Sequence, residues 1–90
     1  MMYLVSYTLN PPRINQALEK ELQSTGIWWH HLDFTWIIVS GETIEQLYNR
    51  IAKHLMQSDH ELIFEIPPNA RYFGWLPKEA WDWLQNNRYE

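Results

Sequence analysis

The sequence contains no cysteine, only three glycines and only seven basic side chains among its 90 residues. Without cysteine, the chain has no disulfide bond, no thiol nucleophile and none of the zinc motifs that depend on cysteine. No apolar run approaches the roughly 18 residues of a membrane span, and no basic segment leads into an apolar run at the N-terminus, as it would in a secretory signal. These absences predict a cytoplasmic protein with no membrane segment and no redox chemistry of its own.

The shortage of basic residues also bears on the class of partner. The formal net charge is −4 at pH 7, whereas affinity for nucleic acid rests largely on basic side chains that neutralise phosphates. The charge therefore does not support a broad nucleic-acid interface. A small phosphate-binding patch would remain if the fold brought Arg13, Arg71 and Arg88 together.

What the sequence does contain is a large apolar fraction. Hydrophobic residues make up 46% of the chain and aromatic residues 16%, including six tryptophans. This composition is far from that of disordered segments. The chain has no repeat, linker or low-complexity tract, and we expect a single folded domain over residues 1–90.

Residues 26–41 form the stretch around which the remaining elements are arranged. Aromatic and β-branched residues fill it between two glycines, and Asp33 lies near its middle, where an acidic side chain favours a turn. The pattern predicts a β-hairpin with strands over residues 27–31 and 35–40.

The flanking segments predict helices and outer strands. Residues 2–9 read as a strand that ends at Pro11-Pro12, after which Ile14, Ala17, Leu18 and Leu22 predict a helix that starts at the prolines and stops at Gly26. Thr43 and Gln46 form a capping-box pattern at the start of a second helix, which we expect to end near Met56. Its apolar stripe consists of Ile44, Leu47, Tyr48, Ile51, Ala52 and Leu55.

The C-terminal third predicts one more strand and one more helix. Residues 58–60 read as a turn, and residues 61–66 alternate as a strand whose Leu62, Phe64 and Ile66 face the core. Residues 70–76 are expected to be extended, and Pro77 opens a short helix over residues 78–85 that places Ala80, Trp81 and Leu84 on one face.

The order of these elements predicts an α+β domain of the ferredoxin-like βαββαβ type, with an extended segment and a short helix added at the C-terminus. Both faces of strand 35–40 are apolar, with Trp36 and Ile38 on one side and Ile37 and Val39 on the other. The two longer helices cover only one face of the sheet. We therefore expect a homodimer in which a second copy covers much of the other face.

The whole chain resembles the small ferredoxin-like family that includes the CRISPR-associated adaptation endonucleases and the virulence-associated protein D type of ribonuclease toxin. The resemblance rests on the opening strand, residues 3–7, and on residues 35–41, which lead straight into the second helix. Residues 28–33 and 74–81 resemble, more narrowly, an uncharacterised bacterial branch of such proteins. The resemblance implies the fold and a dimer.

One departure from the family affects the implied activity. In the nuclease members an aspartate follows the tyrosine at the end of the first strand, and across the dimer it holds a divalent metal; here Tyr7 is followed by Thr8. A threonine hydroxyl is a poor ligand for a hard cation such as Mg²⁺ or Mn²⁺. We therefore predict no cofactor and no nuclease activity, and metal-dependent nucleic-acid cleavage is the alternative.

The remaining candidates are binding residues, because no catalytic set can be assigned. His30, His31 and Asp33 form the only metal-like cluster, although strand geometry turns His30 away from the other two, and the alternative is a structural turn with surface histidines. Trp28 is a candidate for stacking and Arg13 for phosphate binding, against the alternative that the tryptophans fill the core or a dimer interface. The predicted function is an interaction domain that binds another copy of itself and a possible protein partner.

Overall fold

The computed structural model describes residues 1–87. It contains four strands, namely β1 (Met2–Thr8), β2 (Ile27–Leu32), β3 (Thr35–Val39) and β4 (His60–Ile66), and three helices, namely α1 (Gln16–Gln23), α2 (Ile44–Ala52) and α3 (Lys78–Asn86). The strands form one antiparallel sheet in the order β2-β3-β1-β4. The predicted order of strands and helices is thus present, and β2 and β4 are the edge strands.

The central hairpin matches its prediction closely. Strands β2 and β3 are joined by Asp33 and Phe34, and Trp29 pairs with Ile37 across the hairpin. The pairing is irregular between Trp29 and Leu32. Gly26 precedes this hairpin for a reason other than the predicted one, since α1 already ends at Gln23. A Cβ at Gly26 would lie 2.1 Å from the carbonyl oxygen of Val39, so only glycine allows this close approach of the two backbones.

Helices α1 and α2 pack on one face of the sheet, which we call the helical face. Its core contains Leu18 and Leu22 of α1, Leu47 and Ile51 of α2, and the strand residues Tyr3, Val5, Tyr7, Trp36 and Ile38. The predicted start of α1 is wrong: the helix begins after Asn15, whose side chain accepts a hydrogen bond from the Leu18 amide, and Ile14 is 82% exposed. The Thr43–Gln46 capping box at α2 is confirmed.

The other side of the sheet, which we call the second face, carries a smaller core. Helix α3 lies there and buries Ala80 and Leu84 against Met2, Trp29 and Ile37. Trp81 and Trp83 pack partly against the same cluster. Residues 67–77 lead from β4 to this helix as an extended segment without regular secondary structure. The predicted C-terminal addition is therefore present, and it covers part of the second face within one chain.

Strand β4 corrects one prediction about the core. Val5 of β1 pairs with Ile63, and Leu4 pairs with Phe64. Because residues paired across antiparallel strands share a face, Ile63 lies on the helical face, while Leu62, Phe64 and Ile66 lie on the second face. Ile66 packs against the second core, but Leu62 and Phe64 are 54% and 60% exposed. The alternation of residues 61–66 is confirmed, but the three residues predicted to face the main core lie on the opposite face of the sheet.

Candidate functional site

The three candidates on β2 do not converge. Trp28 and His30 lie on the helical face, where both contact Trp36; the Trp28 and Trp36 rings are 5.5 Å apart, and the His30 ring stacks on Trp36 at 3.9 Å. The Nδ1 of His30 donates to the Thr35 carbonyl at 3.1 Å. This packing gives His30 a structural role within the hairpin and uses one of its ring nitrogens.

His31 and Asp33 occupy exposed positions at the tip of the hairpin. The His31 ring lies 5.1 Å from that of Trp29, on the second face, and Asp33 is in the turn. Within residues 1–87, no group of three or more histidine or acidic side chains lies close enough together to hold a metal ion. His31 and Asp33 thus offer one imidazole and one carboxylate near an exposed turn, without a third ligand among residues 1–87.

Thr8 is at the exposed end of β1. The adjacent Tyr7 amide donates to the carbonyl of Phe34 at 3.0 Å, which places the β2–β3 turn beside this end of β1. Asp33 is therefore the acidic residue of the turn that adjoins Thr8. Asp33 is therefore one acidic residue to test in a search for nuclease activity.

Arg13 is engaged in an ion pair that the sequence did not predict. Its two Nη atoms donate to the two carboxylate oxygens of Asp59 at 2.9 and 2.5 Å, and the Asp59 side chain is completely buried. The backbone amides of Asn10 and Met56 donate to the same carboxylate at 2.8 and 2.7 Å. The Arg13 guanidinium, together with these amides, holds the pKa of Asp59 well below its usual range. Arg13 thus clamps the loop before α1 to the start of β4.

A second charged cluster joins the two helices on the helical face. Glu21 of α1 accepts from the Nε of Arg50 at 2.8 Å and from the Nε2 of His54 at 3.0 Å, and the Nζ of Lys53 lies 3.3 Å away. Arg50 also donates to Glu42 at 2.7 Å. These donors, His54 first, lower the pKa of Glu21 from 4.5 to about 2. Arg13 and Arg50 are thus both paired with carboxylates within the fold. Arg88 lies outside the described residues.

The second face is only half covered by α3. At the covered end, the Trp29 indole donates to the Ala80 carbonyl at 3.1 Å, which fixes the helix over β2 and β3. At the other end lies a group that we call the open patch, formed by Leu4, Leu62 and Phe64. A cavity of about 310 Å³ borders the patch, and Met2, Leu4, Ile37, Ile66, Tyr72 and Leu84 are among its lining residues.

The segment between β4 and α3 presents two further apolar side chains. Phe73 is 90% exposed and Trp75 is 99% exposed. The guanidinium of Arg71 lies 6.0 Å from the Phe73 ring. Large aromatic side chains at this exposure are typical of interaction surfaces. The 99% exposure of Trp75 excludes it from the core, which was one of the alternatives for the tryptophans.

None of the helices within residues 1–87 combines the length and the apolar character needed to cross a membrane. No protein-family model, curated protein or solved structure matches the chain. The geometry of the chain itself is therefore the basis for assigning a function.

Proposed function

We propose that this chain is a non-catalytic interaction domain of the ferredoxin-like type that forms a homodimer through the open patch. The observation that carries the proposal is the exposure of Leu62 and Phe64 beside Leu4 on the sheet face that α3 covers only in part. Soluble monomers seldom leave contiguous apolar surface of more than a few hundred Å² uncovered. A partner that covers this surface stabilises the domain.

The order of elements supports the fold assignment. Two strand–helix–strand halves are joined by the β2–β3 hairpin, and the strand order β2-β3-β1-β4 places the first strands of the two halves side by side. Helices α1 and α2 share one face, as the ferredoxin-like plan requires. This plan leaves the opposite face available for a partner, and here α3 takes up only part of it.

A second copy of the chain is the occupant that fits the patch best. The second-face positions of β1 and β4 are Met2, Leu4, Ser6, Thr8, His60, Leu62, Phe64 and Ile66, and they include no Lys, Arg, Asp or Glu. Such a surface meets a copy of itself across a twofold axis without bringing like charges together. Its position next to the edge strand β4 allows this contact without displacing α3.

The chain gives less support to a nucleic-acid partner. Its net charge is −4, and Arg13 and Arg50 are both engaged with carboxylates inside the fold. Phosphate binding needs basic side chains that are free to face the ligand. The apolar character of the open patch instead favours contact with a protein surface.

Light scattering at micromolar concentration tests the proposal. We expect a mass of about twice the 11.0 kDa of one chain. Phe64→Glu places a charge at the centre of the patch, where a partner would bury it, and should give a monomer. Ile14→Glu is the matched control, because Ile14 is also exposed but lies outside the patch, and it should leave the mass unchanged.

Circular dichroism of both variants separates dissociation from unfolding. A parent protein with the mass of one chain would show that α3 covers enough of the second face and that the domain is not a homodimer. A Phe64→Glu variant that is folded and still has twice the mass would place the interface elsewhere and would also contradict the proposal.

A further inference from the structure

Glu61 is a half-buried acid with no role in the structure described so far. It lies on the edge strand β4 opposite Tyr7, on the helical face of the sheet. Both of its carboxylate oxygens are buried, and neither has a hydrogen-bond partner among residues 1–87. Two residues earlier, the Asp59 carboxylate accepts four hydrogen bonds. An unpaired buried carboxylate is unfavourable, and none of the residues 1–87 supplies the hydrogen-bond donor that this one lacks.

Open space adjoins the Glu61 side chain. A cleft of about 430 Å³ lies between α2 and β4, and it is lined by Ile44, Glu45, Tyr48, Asn49, Glu61, Leu62 and Ile63. We call it the Glu61 cleft. A smaller cavity of about 200 Å³ borders Glu61 on the side of β1, near Thr8 and His60. The carboxylate is thus next to space in which a small chemical group can be accommodated.

The lining of the Glu61 cleft selects the chemistry of that group. Two carboxylates, Glu45 and Glu61, contribute negative charge, and no lysine or arginine lines the cleft. Tyr48, which is 51% exposed, offers the face of an aromatic ring. Ile44 and Ile63 provide apolar walls that match an aliphatic stem. The two carboxylates disfavour an anion, whereas an ammonium or guanidinium group supplies both the missing charge and the missing donors.

We propose that the Glu61 cleft binds an ammonium or guanidinium group carried on an apolar stem. Such a group donates hydrogen bonds to the carboxylate oxygens of Glu61 and lies against Tyr48, and its stem packs on the apolar walls. Burial raises the pKa of Glu61 in the empty cleft, so binding of a cation draws the carboxyl toward its ionised form. The proposal is independent of the homodimer, because the cleft is lined mainly by the helical side of β4 and by α2.

Titration of isotope-labelled protein with n-butylguanidinium or n-butylammonium at pH 7, followed by amide NMR, tests this site. We expect saturable shifts at Tyr48, Asn49 and Glu61. The uncharged 1-butanol, which has the same stem, should bind at least about tenfold more weakly, given the usual contribution of hydrogen bonds to charged groups. Equal binding of the alcohol and the cations would show an apolar pocket without cation recognition and would overturn the proposal.

Variants at two acidic positions of β4 show whether Glu61 is the residue that binds the cation. Glu61→Gln keeps the shape of the side chain but removes its charge, and it should reduce cation affinity about tenfold or more. Glu65→Gln, on the same face of the strand but outside the cleft, should not change it. The spectrum of each variant without ligand shows that it is folded. Unchanged affinity in folded Glu61→Gln, or the absence of any shift in the parent protein, would contradict the proposal.

The source of the cation follows from one additional comparison. A short peptide with a single arginine between glycines presents the same guanidinium group on a polypeptide. If the peptide binds at least about tenfold more tightly than n-butylguanidinium, the ligand is an arginine side chain of a protein partner. If the two bind equally, the cleft recognises a small organic cation.

Discussion

Arg13 and Asp59, 46 positions apart in the sequence, form a two-pronged ion pair that closes the loop before α1 onto the residue that precedes β4. The arginine keeps a quarter of its side chain exposed, whereas the aspartate side chain is wholly buried. The aspartate also accepts two backbone amides, so it organises a loop as well as pairing a charge.

We expect Asp59→Asn to lower the urea midpoint of unfolding markedly, because Arg13 and the two amides lose a charged acceptor at a buried position. Asp82→Asn is the control, since it breaks the Lys78–Asp82 pair, in which both side chains are at least half exposed. Exposed pairs contribute little to stability. Similar midpoints for the two variants would show that the Arg13–Asp59 pair does not hold the loop.

Acid should destabilise the protein through Glu21. Its pKa is about 2 in the folded protein and 4.5 ordinarily, so the folded state favours the ionised form. The resulting stability is fully present above pH of about 4.5 and is lost as the pH falls toward about 2. Urea midpoints measured across this range should decrease, and less steeply in Glu21→Gln. An identical pH profile for the parent and Glu21→Gln would contradict this origin.

The cap of α2 gives a prediction of moderate size. The Thr43 hydroxyl accepts from the Gln46 amide at 3.1 Å, and the Gln46 side chain accepts from the Thr43 amide at 2.9 Å. Thr43→Ala should reduce the free energy of unfolding by about 1 kcal/mol, within the usual range for a lost cap. Chemical denaturation measures the change. A variant with the parent's unfolding curve would show that the cap contributes nothing.

Helix α3 should contribute to stability through Leu84, which is 8% exposed. Leu84→Ala removes buried apolar atoms between α3 and the sheet, and we expect a loss of about 2 to 3 kcal/mol. Leu62→Ala at an exposed position of the second face is the control, measured at a concentration where the protein is monomeric, and it should change little. Equal unfolding free energies for Leu84→Ala and the parent would mean that α3 does not pack on the sheet in solution.

We predict that the purified protein does not cleave RNA or DNA in the presence of Mg²⁺ or Mn²⁺. The resemblance to the nuclease family implies an aspartate at the end of β1, where this chain has Thr8, and a hydroxyl brings no negative charge to a divalent cation. Incubation with single- and double-stranded substrates checks this expectation. Cleavage that persists through several purification steps and disappears in Asp33→Asn would reverse it and assign the alternative function.

The local features of the chain were predictable from the sequence. The β2–β3 hairpin, the α2 cap and the α3 helix each depend on residues within a few positions of one another, such as Asp33 in its turn and Thr43 beside Gln46. Alternation and helical spacing act over the same short range.

The tertiary structure alone decided which face each strand presents and which distant side chains meet. The pairing of Val5 with Ile63 turns Leu62 and Phe64 to the second face, and a shift of one residue would have reversed this assignment. The meeting of Arg13 with Asp59 and the isolation of the Glu61 carboxylate have the same origin. A periodic pattern shows that a strand has two different faces, but it does not show which of them is buried. The register between strands determines the buried face, and the packing of the whole chain sets that register.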